Sequence, residues 1–385
     1  MRAVLLLDTN FSSGPMHDFL VATDHEVHVA GSNPLDALAK KSDHHILLDY
    51  ADAQQVHRVL NQRAFDFVIP GCNDRSYQTC SELHQLGHAL QGIDSLDITN
   101  TINDKELFRA FATRHGLPTP QVLSSDQIGR CWPVIIKPVD AYSGRGVTIL
   151  QETQRDQLDA AIDRAKIHSR SGRHLVEQCV EGQLHSHSVF LSDGDILVDF
   201  IVEEHGTANP FVVDTSRVLH DYPAHLLAQL RDNTRTMARE LGLRQGLLHT
   251  QFIRQGEQHW LIEVTRRCPG DLYSQLIELS TGFRYAENYA RSFVSMPFTL
   301  EGMKAEPTWI MRHTLSLPGE GTLGSVRFSV PLLIEKFIPI STVGDRLKAS
   351  PASRIGVLFT RSSTESALQE LFARTLKREL YEITL

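Results

Sequence analysis

Short apolar runs alternate with longer segments of mixed polarity over the first hundred residues. The runs AVLLLD, HEVHVAG, HHILLDY and FDFVIPG each fit a buried strand, and the segments between them include amphipathic helical patterns. This alternation predicts an open α/β sheet with parallel strands. In such sheets the loops at the carboxyl ends of the strands bind ligands, so we expect a binding role for Ile69 to Asp74. A simple turn at Pro70-Gly71 followed by a helix cap explains the same residues equally well.

The pattern changes after residue 100. A helix beginning at Asn103 or Asp104 and ending at Gly116 precedes a small block of mixed strand and helix character. Two-residue alternation on both sides of SDGD, and again around Gly256, predicts antiparallel hairpins. We therefore predict three units: an N-terminal α/β domain at 1–100, a ligand-binding domain at 101–306 with a lid at about 118–182, and a C-terminal subdomain at 307–385.

Composition and charge indicate an ordered protein of more than one domain. The 385 residues exceed what one hydrophobic core usually supports, and 41% hydrophobic residues exclude a disordered chain. The net charge of -8 argues against a nucleic-acid or anionic-membrane surface, and no apolar run approaches the ~18 residues of a membrane span. The first apolar run is too short for a secretory signal and the five cysteines lack CxxC spacing, so we expect a cytoplasmic protein with reduced thiols.

A lysine inside an apolar run marks the first candidate site. Lys137 lies between Ile136 and Pro138, and its charge needs an anion because burial of an unpaired ammonium is costly. The loop that follows, Ala141 to Gly146, offers glycine flexibility, backbone N–H groups and a hydroxyl, which suit polyphosphate oxygens. A nucleotide phosphate is therefore the expected partner, although a strand lysine before a glycine-rich turn can also be structural.

The segment HTQFIRQGEQHWLIEVTRR contains the second candidate site. Strand alternation places Gln251 beside Glu263, on a face that also carries Thr265 and Arg267. A carboxylate, an amide oxygen and a hydroxyl close to an arginine can bind Mg²⁺, which prefers oxygen ligands. The alternative is an exposed polar face with a weak surface pair between Glu263 and Arg267.

Other polar segments suggest zinc binding or substrate binding. HSHS, at residues 185–188, resembles a zinc ligand pair, but two histidines without a nearby cysteine or carboxylate do not form a structural zinc site, so we expect them to face the ligand cleft. Arginine binds carboxylates in a bidentate manner, glycine frees backbone amides, and an aspartate can accept from an amine. On these grounds the candidate substrate-binding residues are Arg217, Arg266, Gly270 and Asp271.

In this order, the segments resemble the ATP-grasp superfamily, which includes carboxylate–amine ligases such as L-amino acid ligases, carboxylases and carbamoyl-phosphate synthases. The resemblance covers nearly the whole chain and is carried by NDKELF, IIKPVDAYSGRGV, VEQCVEG and IEVTRR. It implies an ATP-grasp fold of mixed α/β and α+β structure, with a preceding domain, a lid, an antiparallel-sheet core and a C-terminal subdomain.

The resemblance also implies a role for particular residues. The expected ATP-binding residues are Lys105, Lys137, Ser143, Gly144, Arg145, Gly146, Glu177, Gln178, Val180 and His185. Among these the two lysines would hold the phosphates, the backbone at 177–180 would contact adenine, and His185 or Glu181 would lie near the ribose. The expected ligands of Mg²⁺ or Mn²⁺ are Glu263, Gln251 and Thr265. The groups expected to act in catalysis are Arg267, Lys137 and Glu263.

The function implied is ATP-dependent amide formation through an acylphosphate. The substrates would be a small carboxylate and an amine, with amino acids as the commonest class in the family, and relatives are often homodimers. Two residues of this chain depart from the family pattern. The family usually has a second acidic metal ligand where this chain has Gln251, and an asparagine where it has Thr265. A bicarbonate-using enzyme of the carbamoyl-phosphate or biotin-carboxylase type stays open, and so does a nucleotide-binding module without ligase chemistry.

Overall fold

A parallel sheet forms the N-terminal domain in a computed structural model that describes residues 1–141 and 144–385. Its strands are β1 (Arg2–Leu7), β2 (His25–Gly31), β3 (His45–Leu47) and β4 (Phe67–Pro70). Their order in the sheet is β3-β2-β1-β4. Residues 4–7 of β1 are completely buried, as expected for a strand covered on both faces. The predicted open α/β sheet is therefore confirmed.

Five described helices accompany this sheet and bring polar residues to its edge. They are α1 (Gly14–Ala22), α2 (Ala37–Lys41), α3 (Ala53–Gln62), α4 (Asp74–Gln85) and α5 (Leu96–Asn103). Asn73 caps α4, since its side chain accepts a hydrogen bond from the N–H of Ser76 at 2.9 Å. Strand β4 and helix α4 are thus joined by a tight loop that presents Cys72, Asn73 and Asp74.

The next segment contains a small antiparallel sheet. Its elements are α6 (Lys105–Arg114), α7 (Ser125–Ile128), β5 (Val134–Pro138), β6 (Thr148–Leu150), α8 (Leu158–His168) and β7 (His174–Gln178). Helix α6 begins at the predicted cap, because the Asp104 carboxylate accepts from the N–H groups of Glu106 and Leu107. The sheet order is β6-β5-β7, and α8 shares an apolar core with it. We refer to residues 118–182 as the lid.

Within the described residues, the remaining strands form one large antiparallel sheet and two separate two-stranded sheets. They are β8 (Gln183–Ser192), β9 (Asp195–His205), β10 (Thr215–Leu219), β11 (Gly246–Gln255), β12 (Gln258–Thr265), β13 (Trp309–Leu315), β14 (Gly321–Thr322), β15 (Ser325–Phe328), β16 (Leu333–Pro339), β17 (Arg346–Leu347), β18 (Gly356–Ser362) and β19 (Tyr381–Thr384). The central sheet has the order β12-β11-β8-β9-β10-β13-β18-β16. Both predicted hairpins are present, and residues 307–385 contribute strands to the same sheet.

Helices pack on both faces of the central sheet. They are α9 (Ala224–Leu241), α10 (Tyr273–Thr281), α11 (Tyr285–Arg291) and α12 (Glu365–Leu376). The apolar residues of α9 pack with Ile201 and Phe252 on one face, whereas α10 and α11 pack with Phe190 on the other. Helix α9 ends at Gly242, whose φ of 68° suits glycine.

The predictions about membrane spans and about reduced cysteines can be compared with the structure of the described residues. Within 1–141 and 144–385, no helix combines the length and the apolar character that crossing a membrane requires. The cysteines of the sequence all lie in this part of the chain, and each is a free thiol.

Candidate active site

A cavity of about 600 Å³ lies between the N-terminal domain and the central sheet. Its walls come from the carboxyl ends of β1 and β4, from the loop after β5, and from the sheet face on which α10 packs. The loop contributes Gly144 and Arg145, and the N-terminal domain contributes Asp8 and Asn73. The predicted binding role of the loop after β4 is therefore consistent with its position, because the described cavity is partly formed by it.

The hairpin β11–β12 supplies the acidic part of the cavity. Gln251 is the direct cross-strand partner of Glu263, as the alternation predicted. Both residues line the cavity together with His249, Thr265 and Arg267. The alternative interpretation as an exposed surface with a Glu263–Arg267 pair does not describe this face, since Thr265 is buried and Arg267 pairs with Asp74.

Lys105 connects this hairpin to the loop after β5. Its Nζ lies 3.4 Å from Oε1 of Glu263 and donates to the carbonyl of Ala141 at 3.0 Å. Because the side chain of Glu263 is 35% exposed, its oxygens remain accessible from the cavity. A cation, a carboxylate and the start of the glycine-rich loop therefore meet at one point.

Arg267 is fixed in the cavity wall by Asp74. Its Nε and one terminal nitrogen each donate to a different oxygen of the Asp74 carboxylate at 2.9 Å. The Thr265 hydroxyl donates to the same carboxylate at 2.9 Å. Burial alone would raise the pKa of Asp74, but the Arg267 guanidinium lowers it below its ordinary value. Asp74 therefore stays ionised and sets the direction of Arg267, a role that the sequence did not indicate.

Lys137 finds its anion within the chain. The ammonium pairs with Glu177, whose other carboxylate oxygen accepts from Arg109 Nε at 2.6 Å. Burial lowers the pKa of Lys137, and Glu177 opposes this shift. Burial would raise the pKa of Glu177, but Lys137 and Arg109 together lower it. The prediction that Lys137 requires an anion is supported, while a phosphate contact stays a prediction because Lys137 does not line the described cavity.

Two predicted ligand residues lie on the wrong face of the central sheet. His185 and Glu203 are cross-strand partners, and Glu203 is in turn the partner of Arg217. These side chains face away from the cavity because Leu184 and Ser216, their immediate neighbours, lie on the cavity side.

Local partners occupy these two side chains. His185 stacks on Phe252, and burial lowers its pKa to about 4. Arg217 pairs with Glu203 at 2.7 Å and lies over the ring of Phe372. The expectation that the HSHS histidines face the cleft and that Arg217 binds substrate is therefore not met in this structure.

Arg266 is likewise a structural residue. It is 5% exposed, pairs with Asp94 at 2.6 Å, and donates to the backbone carbonyls of Gln245 and Leu247. This network connects the segment before α5 to the central sheet, and Arg266 does not line the described cavity. The assignment of Arg266 to substrate binding is therefore corrected.

The other predicted residues have mixed positions. Gly270 and Asp271 line the cavity, but the Asp271 carboxylate is paired with Arg354 at 2.9 Å. In the expected adenine-binding segment, the N–H of Gln178 donates to the carbonyl of Gln121, so this amide is engaged within the lid. The expected nucleotide contact of Ser143 lies outside the described residues.

Gly144 has a backbone conformation that favours glycine, while the expected contact of this loop with phosphate stays a prediction. Its φ is 68°, and a Cβ atom at this position would lie 2.5 Å from the Cβ of Phe211. Phe211 and Gly144 both line the cavity, so the loop packs directly against the opposite wall. The expected roles of Gly146 and Val180 in ATP binding stay predictions.

The cavity also contains residues to which the sequence assigned no role, among them Glu204, His249 and Arg312. Glu204 is 3% exposed, and its carboxylate accepts from the Ser186 hydroxyl at 2.9 Å and the Gln251 amide at 2.8 Å. His249 is buried beside Arg267, and burial followed by this positive charge lowers its pKa to about 3. Arg312, on β13, is 2% exposed. The sequence signal for Arg312 is an arginine within the apolar strand WIMRHTL, which is the signal that identified Lys137.

The comparison with protein families identifies part of the chain. Residues 131–275 match the model described as an ATP-grasp domain. The carbamoyl phosphate synthase large chain of Pseudomonas syringae pv. tomato is 27% identical over 185 residues. This match covers 45% of the present chain and 17% of the relative, so the chain spans less than a fifth of that protein.

Solved structures resemble the whole chain. An L-amino acid ligase from Bacillus licheniformis has a TM-score of 0.80 at 15% identity, covering 100% of this chain and 98% of that one. A phosphoribosylglycinamide synthetase from Anaerococcus prevotii has a TM-score of 0.75 at 14% identity, covering 100% and 99% of the two chains. At this level of identity the likeness concerns the fold, and it agrees with the family match of the central segment.

Proposed function

We propose that this chain, which contains an ATP-grasp domain and has the corresponding fold, is an ATP-dependent carboxylate–amine ligase. The observation that carries the proposal is that Lys105, Glu263 and the anchored Arg267 meet beside one cavity. Two cations and an accessible carboxylate are the groups required to hold a metal-bound polyphosphate.

The reaction has two steps. First, a substrate carboxylate oxygen bonds to the γ-phosphorus of ATP, the bond to the β-phosphate oxygen breaks, and ADP leaves. The amine nitrogen then bonds to the acyl carbon of the acylphosphate, the carbon–oxygen bond to phosphate breaks, and the amine loses a proton. The products are an amide, ADP and inorganic phosphate. Lys105 and Arg267 would stabilise the charge that accumulates on the transferred phosphoryl group.

The oxygen atoms around Glu263 fit a divalent cation. Glu263 is a partly exposed carboxylate, and it is flanked by the Gln251 amide and the Thr265 hydroxyl. Gln251 donates through its nitrogen to Glu204, which leaves its amide oxygen available. Thr265 donates its proton to Asp74 and accepts from the backbone N–H of Arg267 at 3.3 Å, which leaves one acceptor position on its oxygen. Bound Mg²⁺ or Mn²⁺ would neutralise phosphate charge, with Glu263 as the anionic ligand and the other two as neutral ligands.

The lid supplies the remaining predicted contacts. Lys137 lies on β5, just before the loop that carries Gly144 and Arg145, and Glu177 holds its ammonium in place. We assign Lys137 to the ATP phosphates, which would compete with Glu177 for the same ammonium. The loop and the lid would also exclude water from the acylphosphate, whose hydrolysis would waste ATP.

A screen for ADP release tests the proposal. Pairs of amino acids, simple carboxylates and simple amines are incubated with Mg²⁺ and ATP, and the product is identified by mass. Glu263→Ala and Lys137→Ala should abolish ATP turnover, whereas Glu257→Gln, on the exposed turn of the same hairpin, should retain it. Near-normal turnover in either active-site variant would contradict the assignment.

Two other functions predict different results in this screen. ADP release that depends on bicarbonate alone would favour a carboxylase-type or carbamoyl-phosphate-type reaction. ATP binding without ADP formation across the whole panel would favour a nucleotide-binding module, for which the neutral residues Gln251 and Thr265 are the motivation.

A further inference from the structure

Arg312 is a buried cation without an anionic partner in the described chain. Its guanidinium donates to the carbonyl of Asp271 at 2.8 Å and to the hydroxyl of Ser216 at 2.9 Å. Its Nε has no hydrogen-bond partner among residues 1–141 and 144–385, and no carboxylate of those residues forms an ion pair with it. Since the residue lines the cavity and is 2% exposed, it can take an anion from the cavity side.

Glu204 is a buried carboxylate whose hydrogen-bond partners are uncharged, and thus complements Arg312. Its carboxylate accepts from Ser186 and Gln251, both of which are uncharged, and no lysine, arginine or histidine in the described part of the chain forms an ion pair with it. The carboxylate lines the cavity, where a ligand that brings a positive charge or an N–H donor can contact it.

The two residues occupy one row of the central sheet. Ser216 on β10 is the direct partner of Glu204 on one side and of Arg312 on the other. All three side chains therefore face the cavity, and Glu204 and Arg312 are two strand spacings apart, roughly 10 Å between Cα atoms. Both charged side chains line the same cavity, so one small ligand bound there can contact both of them.

The row also has a direction. Gln251 contacts Glu204 and is the cross-strand partner of Glu263, where the metal and phosphates are proposed to bind. Glu204 is thus nearer to the phosphoryl-transfer end of the row, and Arg312 is farther from it. A ligand held by both residues would present its positive end toward the reaction centre.

We propose that Glu204 and Arg312 bind the amine substrate at both ends, Glu204 its amino group and Arg312 a carboxylate, so that this substrate is an amino acid. The inference rests on the proposed ligase function and specifies which substrate carries which group. The carboxylate at Arg312 is not the one that is activated, and the amino group at Glu204 is the one that attacks. The carboxylate that ATP activates belongs to the other substrate, which can also be an amino acid.

Calorimetric titration tests this pair without requiring turnover. The twenty amino acids are titrated into the whole chain, with and without Mg²⁺ and a non-hydrolysable ATP analogue, and the tightest is compared with its methyl ester and its N-acetyl derivative. We expect each derivative to bind about 10- to 100-fold more weakly, because each removes one charge-assisted contact. This comparison uses the wild-type chain and is independent of variant folding.

Variants then assign each contact to a residue. Arg312→Gln should remove the difference between the free acid and its methyl ester, and Glu204→Gln should remove the difference between the free amine and its N-acetyl derivative. Arg361→Gln, an exposed arginine on the neighbouring strand β18, should retain both differences. Arg312→Lys, which keeps the charge but loses the forked geometry, should fall between wild type and Arg312→Gln.

The outcomes separate this inference from the ligase proposal. Equal binding of the amino acid and both derivatives would overturn the inference, and so would ADP release that requires an amine without a carboxylate. Amino-acid binding that depends on both residues, in a chain that neither binds nor hydrolyses ATP, would support the inference and overturn the ligase function.

Discussion

The buried ion triad of the lid offers a quantitative test. Glu177 is fully buried and contacts both Lys137 and Arg109, whose side chains are 6% and 3% exposed. Arg109 also donates to the carbonyl of Ile262 on β12, so the triad connects the lid to the central sheet. The substitution Glu177→Gln preserves the shape but removes the negative charge, which leaves two buried cations next to a neutral amide.

Removing one partner of a buried ion pair costs about 3–5 kcal/mol, because the remaining charge is left uncompensated. If the lid opens locally, this energy corresponds to an increase of about 150- to 5000-fold in the opening equilibrium. Hydrogen exchange of the backbone amides in β5 and β7 measures that increase directly, and the amides of α12 serve as a distant reference within the same molecule.

A surface pair in the same region provides the control. Arg173 pairs with Asp104 and Glu106 and its side chain is 46% exposed, so Arg173→Gln should cost less than about 1 kcal/mol, or about five-fold in exchange. Glu177→Gln with lid exchange within five-fold of wild type would refute the argument that the triad is a buried, mutually dependent unit.

Further predictions concern the cavity and its surroundings. With the substrate pair found by the screen, Lys105→Met and Glu263→Gln should each lower kcat/KM by about 100-fold or more, and a loss below five-fold would contradict their roles. Asp74→Asn should lower kcat more than it raises the KM for ATP, because it releases Arg267; unchanged kcat would argue against this positioning role. Burial would raise the pKa of Glu203, but His205 and Arg217 lower it to about 2 in the folded chain. Ionised Glu203 therefore stabilises the folded chain above pH 4.5, and this stabilisation is lost as the pH falls toward 2. Thermal melts of the Glu203→Gln variant should not show this pH-dependent loss of stability. Arg217→Gln should leave substrate KM within two-fold in the same kinetic assay, and a ten-fold increase would restore Arg217 as a ligand.

Local sequence patterns predicted the fold well where they are strong. The cap at Asp104, the turn at Gly256 and the register that places Gln251 beside Glu263 all follow from residues close together in the chain. Such features depend on backbone hydrogen bonding and on side-chain alternation, both of which can be derived from short segments.

The sequence could not show in the same way which face of each strand points toward the cavity. Alternation shows that His185 and Arg217 lie on the side opposite to Leu184 and Ser216, but not which side carries the cavity. Helix α9 decides this, because its apolar residues cover one face and leave the other to ligand-binding groups. The corrections for His185 and Arg217 share this cause.

Long-range partners were the second limit. The roles of Asp74 and Glu177 depend on Arg267 and Lys137, and these pairs are separated by 193 and 40 residues in the sequence. No local pattern shows that a helix cap region in the first domain will orient an arginine of the central sheet. The polar row that includes Glu204 and Arg312 was missed for the same reason, since it crosses strands that are distant in the chain.

A crystal structure of the chain with Mg²⁺ and a non-hydrolysable ATP analogue tests the central claim most directly. We predict that phosphate oxygens lie within hydrogen-bond distance of Lys105 Nζ and that the metal is bound by the Glu263 carboxylate. A nucleotide bound elsewhere, with no metal at Glu263, would contradict the account.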